Sequence, residues 1–146
     1  MKTTTQKMIA AAAASVVVLV CIGIASVQTN RFHEWMNTVD LRCTMYLNAA
    51  EDNFSAYLKD GDPVQYQWGT GNLYAFLACY ELSERYLAEH YISVRTAHGV
   101  LLGTPEGMET DRMEQLVTAL TILEEDMDAL PGYTALDVFS NWELYQ

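Results

Sequence analysis

The stretch from Met8 to Val27 (MIAAAAASVVVLVCIGIASV) holds no charged residue, no proline and a single glycine, Gly23. As a helix it rises about 30 Å, the thickness of a bilayer's hydrocarbon core. A segment of this kind is satisfied in lipid or in a deep core, and it sets the frame for the rest of the chain. Lys2 and Lys7 precede it, and the first acid is Glu34. Because basic residues stay on the cytoplasmic side, the expected layout is a cytoplasmic tail at 1–7, a single-pass anchor at 8–27 and an outer domain at 28–146. The second reading is a cleaved signal peptide that leaves a secreted domain, with a junction after Ala25 and Gly23 at the third position back. The apolar run exceeds the usual signal core, which favours the anchor. Its strongly apolar part is the shorter Val16 to Ile24. Cys21 reads as a thiol in an apolar helix rather than a lipid attachment site, since Val20 is too large for the position before it.

Charge divides sharply at this segment. From Arg31 onward there are six basic and nineteen acidic residues, a net of −13. Such a surface repels phosphate backbones and anionic headgroups, so nucleic acid is excluded as a partner. It attracts cations or a basic protein, or serves as a solubilising coat. Nine tyrosines argue for an ordered domain rather than a disordered stalk.

Helical periodicity runs through this outer part. Phe32, Met36, Val39, Cys43, Tyr46, Ala50, Phe54 and Tyr57 recur at steps of three and four, with neither glycine nor proline between Ile24 and Lys59. Lys59-Asp60-Gly61-Asp62-Pro63 ends that helix. Asp60 and Asp62 do not open an EF-hand, because the twelfth place is Gly71 rather than Glu. Val64 to Thr70 reads as a loop carrying Tyr66 and Trp68, which either form a contact patch or cover the end of the core. Asn72 caps an expected second helix from Leu73 to about Thr96, with Leu73, Phe76, Leu77, Tyr80, Leu87 and Tyr91 inward. Gly99 and Gly103 bracket an apolar link. Met113, Leu116, Leu120, Leu123, Met127 and Leu130 give the cleanest stripe, on a third helix beginning near Thr110. Thr134 to Asp137 opens a short last helix. No stretch alternates with period two. The fold class expected is all-α: a transmembrane helix followed by an antiparallel three-helix bundle with a short fourth C-terminal helix.

Three groupings have chemical potential. Cys43 and Cys79 each lie eighteen residues from Gly61, so a hairpin folded there brings them level, as a disulfide or as two core thiols. The same fold-back places His33 and Glu34 toward Glu89 and His90, a possible divalent-metal set. Each pair is adjacent in sequence, however, and diverges by about 100° on a helix; solvated polar residues are the plainer account. Glu124, Glu125, Asp126 and Asp128 crowd the end of a helix, where negative charge costs about 0.3–1 kcal/mol per group. They suit a basic partner, a loosely held cation or a solvated face.

No G-x-S-x-G, H-E-x-x-H, phosphate loop or GxGxxG is present. The expected function is therefore not enzymatic and needs no cofactor. It is a membrane-anchored helical domain that contacts a protein partner or a second copy of itself in the cell envelope. A metal- or small-molecule-binding sensory or carrier domain is the alternative.

Overall fold

The computed structural model describes residues 2–128, with side chains from Ser15 onward except those of Asp126 and Asp128. Its elements are α1 (Lys2–Asp60), α2 (Pro63–Tyr80), α3 (Ala88–Gly103) and α4 (Thr110–Asp128). The all-α class is as expected, and no strand occurs among the described residues. The expected helix after Thr134 lies outside them. The chain divides into two compact units, Met1–Asn37 and Thr38–Gln146.

The first unit is the N-terminal part of α1. One helix beginning at Ser15 contains a window long and apolar enough to cross a membrane, with mean hydropathy 1.5 and none of it buried. At the end of the apolar run, Ser26 Oγ donates to the Ile22 carbonyl and Thr29 Oγ1 to the Ala25 carbonyl, each at 2.9 Å. Both hydroxyls are thus satisfied by the helix itself, as a lipid environment requires. Phe32 and Trp35 follow, exposed, with ring centroids 6.1 Å apart. Exposure takes Phe32 off the expected core stripe.

The second unit is a four-helix bundle formed by the C-terminal part of α1 with α2, α3 and α4. Cys43, Leu47, Ala50 and Phe54 of α1 are fully buried against Leu73 and Phe76 of α2, Val94 and Ala97 of α3, and Met113, Leu116, Leu120 and Leu123 of α4. Three hydrogen bonds fix the directions. Tyr57 OH reaches the Met108 carbonyl, Thr121 Oγ1 donates to Glu51 Oε1 at 2.7 Å, and Tyr66 OH donates to the Leu101 carbonyl at 3.0 Å. Successive helices therefore alternate up and down.

Two boundaries differ from the sequence reading. Residues 64–70 are helical. Asp62 is the N-cap of α2, its carboxylate accepting from Val64 N at 2.9 Å, and Pro63 occupies the first turn. Proline lacks only the N–H that a first turn leaves unpaired, so the Asp62-Pro63 pair that closes α1 also opens α2. Gly69 is needed inside this helix, because a Cβ there would stand 2.6 Å from the Phe54 ring. The expected helix from Leu73 to Thr96, in turn, breaks at Tyr80 and resumes at Ala88, so four helices stand where three were expected. Gly99 and Gly103 are part of α3 and exposed rather than flanking a link.

Candidate functional site

α2 carries no charged residue over its whole length. Its inward face is Tyr66, Gly69, Thr70, Leu73, Phe76, Leu77 and Tyr80. Its outward face repeats every three or four residues as Val64, Trp68, Gly71, Tyr74 and Ala78, all exposed. Trp68 is 59 % and Tyr74 64 % exposed. From sequence, Tyr66 and Trp68 either form a contact patch or cover the end of the core, and the structure separates the two residues. Tyr66 is 2 % exposed and covers the end of the core, so it is not a contact residue; Trp68 faces solvent.

Beside this face, a cleft of about 260 Å³ opens between α2 and α3, lined by Tyr66, Thr70, Gly71, Leu101, Leu102 and Pro105 among others. Its hydroxyls are already engaged. Tyr66 OH bonds the Leu101 carbonyl and lies 2.9 Å from Thr104 Oγ1, and Thr70 Oγ1 donates to the Tyr66 carbonyl. Burial raises the Tyr66 hydroxyl above its ordinary pKa, keeping it a donor. An opening of this size lies below the roughly 300–1,000 Å³ of small-molecule pockets and suits a single apolar side chain. One turn along, Tyr74 of α2 and His98 of α3 hold their rings 5.6 Å apart.

At the other end of the bundle a polar latch holds the connection between α2 and α3. Tyr80 OH donates to the Arg85 carbonyl at 2.9 Å and accepts from Leu87 N at 3.1 Å. Ser83 Oγ donates to Asp40 Oδ1 at 2.5 Å and accepts from Arg85 N at 3.0 Å. Arg85 Nε lies 3.7 Å from Asp40 Oδ2, and its guanidinium also donates to the Met127 carbonyl. These bonds explain the break after Tyr80: side chains from 80, 83 and 40 take the backbone groups and turn geometry that a continued helix would use. Arg85 also sets a cation at the last turn of α4, where the helix dipole and the acids there need one. Of those acids, Glu124 is half-buried and Glu125 exposed, while the side chains of Asp126 and Asp128 lie outside the described residues.

His33 and Glu34 are exposed on the first unit. Glu89 is exposed and His90 is buried. His90 Nδ1 sits 3.4 Å from Tyr80 OH, so its ring belongs to the latch rather than to solvent. Among the described residues, no three His, Cys, Asp or Glu side chains gather as a metal group.

Cys43 is fully buried in the core, and Cys79 packs half-buried against it. Both are free thiols. Burial, with Cys79 and Asp40 nearby, pushes the Cys43 thiol up to about 12. It is protonated at neutral pH, which makes it a slow nucleophile there.

Sequence alone does not mark Tyr80, Ser83 and Arg85 as site residues. The one available signal was Ser83 between Glu81 and Glu84, a side chain able to bond its own backbone in a turn. No known protein family, curated protein or solved structure shows a match to this chain.

Proposed function

We propose that this chain is a membrane-anchored interaction module, held by Met8 to Val27 with Lys2 and Lys7 inside and the acidic bundle outside. The outward face of α2 seats a partner protein of the same envelope. The observation that carries this reading is an uncharged helix in a domain of net −13, with Trp68 and Tyr74 exposed on its outward face and a cleft of about 260 Å³ between α2 and α3. Exposed Trp and Tyr side chains are enriched among the residues that anchor protein interfaces.

The ends of the face define the partner's chemistry. Asp60 and Asp62 precede α2, and Glu81 and Glu84 follow it. A partner with an apolar centre and basic flanks matches both features. A second copy laid antiparallel would bring acids against acids, which disfavours self-association.

A photo-reactive amino acid in place of Trp68, activated in intact membranes, tests this. The expected product is an adduct with a different protein, reduced about tenfold by Tyr74→Ala and weakened by added salt and by Glu81→Gln with Glu84→Gln. The unlabelled Trp68→Ala chain should keep its stability within about 0.5 kcal/mol, as expected for an exposed side chain. An adduct insensitive to these changes, a dimer of this chain alone, or no adduct would each overturn the reading.

A further inference from the structure

We infer that Cys43 and Cys79 are a disulfide site that staples α1 to α2. The argument begins with register. Cys43 and Cys79 are equidistant from Gly61, where the chain reverses with φ +67, and a two-residue connection separates the helices. The expected loop at 64–70 would have displaced Cys79. Because α2 is helical from Pro63, the register instead holds along the whole hairpin. Phe54 meets Tyr66 with ring centroids 6.1 Å apart and closes over Gly69, and further along Cys79 packs against the core cluster that holds Cys43. A bond there requires the two cysteines to lie level on facing helices, and the equal spacing from Gly61 places them so.

The environments of the two sulfurs order the steps. Cys79 is the half-buried member and the one reachable from outside; Cys43 is sealed in the core. An external disulfide, of the glutathione or dithiol-oxidoreductase class, supplies the oxidising equivalents. The Cys79 thiolate attacks one sulfur of that disulfide, breaking its S–S bond and releasing one thiolate. The Cys43 sulfur then attacks Cys79 Sγ and displaces the second thiolate. One S–S bond breaks and one forms; the two protons lost by the protein thiols protonate the two released thiolates. The second step is slow at neutral pH in the folded chain, because burial holds Cys43 protonated, and it quickens as pH rises.

The inference is independent of the proposed interaction face, since neither sulfur lies on the outward stripe of α2. It is tested on the full chain in detergent, equilibrated with oxidised glutathione, blocked with N-ethylmaleimide and digested with trypsin. The basic residues place the three cysteines on separate peptides: Cys21 on 8–31, Cys43 on 43–59 and Cys79 on 60–85. The expected result is peptide 43–59 joined to 60–85 and lighter by two hydrogens, with Cys21 blocked. Its rate of formation rises with pH, and its unfolding midpoint lies roughly 10 °C above that of the reduced chain. Maleimide on both Cys43 and Cys79 after equilibration, a linkage through Cys21 instead, or a bonded form that melts with the reduced one would overturn it.

Discussion

The two ends of the bundle are closed by tyrosines, but in different ways. Near Gly61, the rings of Phe54, Tyr57 and Tyr66 stack edge-on, with Tyr66 5.2 Å from Tyr57. Gly69 and Gly107 leave room for them: a Cβ at Gly107 would overlap the Tyr57 hydroxyl, and its φ of +108 favours glycine. At the far end Tyr80 stacks on Phe76 at 5.1 Å, yet its hydroxyl holds both a carbonyl and an N–H of the next connection. Tyrosine hydroxyls bond backbone carbonyls at both ends, but the first adds the fit of rings against glycines and the second adds the charged Arg85–Asp40 pair. Shape-held contacts fail when volume changes, whereas bonded ones fail when a partner is left unpaired in the dry interior.

That contrast can be broken most severely at the first end. Phe54→Ala empties a fully buried ring site and should cost about 3–5 kcal/mol in chemical unfolding of the chain in detergent. Gly69→Ala should cost about 1–3 kcal/mol, and much of that cost should vanish when Phe54→Leu is made with it. Additive losses would show that the two residues do not press on one another. At the second end, Tyr80→Phe keeps the stack and removes only the hydroxyl. The Arg85 carbonyl and Leu87 N–H lose their partner, and the expected loss is about 1–3 kcal/mol. A near-neutral result would mean that water takes the vacated place and that the latch contributes little.

The smallest effect is a dependence on pH. Burial lowers the His98 pKa below 6.5 in the folded chain, so the unfolded chain takes up the proton first as the pH falls. Stability is full above pH 6.5 and declines as the pH drops from there toward the folded value. The half-buried position keeps the change small. His98→Gln should flatten that part of the pH–stability curve, and an unchanged slope would place its origin elsewhere.

The shape-held parts were legible in the sequence, and the bonded parts were not. The α4 stripe from Met113 to Met127 is buried as its spacing implies, and so are Met36, Val39, Cys43, Ala50 and Phe54 of α1. The stripe read from sequence carries Tyr46 and omits Leu47, whereas the structure buries Leu47 fully and Tyr46 only in part. Trp68-Gly69-Thr70-Gly71 looked like a loop because two glycines weaken a helix; close approach of the Phe54 ring outweighs that weakness. The break after Tyr80 has no glycine or proline to announce it. Its cause lies in Asp40, forty-three residues from Ser83, and no local pattern carries a bond across that distance. The same holds for the face of α2. Its lack of charge was visible, but which of Tyr66 and Trp68 turns outward depended on the helix continuing through them.

The short connection at Gly61-Asp62 has a consequence for the order of assembly. Closing so short a loop carries less entropic cost than any longer-range pairing in the chain. The α1–α2 hairpin also leaves the ribosome before α3 and α4 are made. Its sulfurs therefore meet while the side that α4 will cover is still wet. The window for the proposed cross-link opens with the hairpin and narrows once α4 packs into the core.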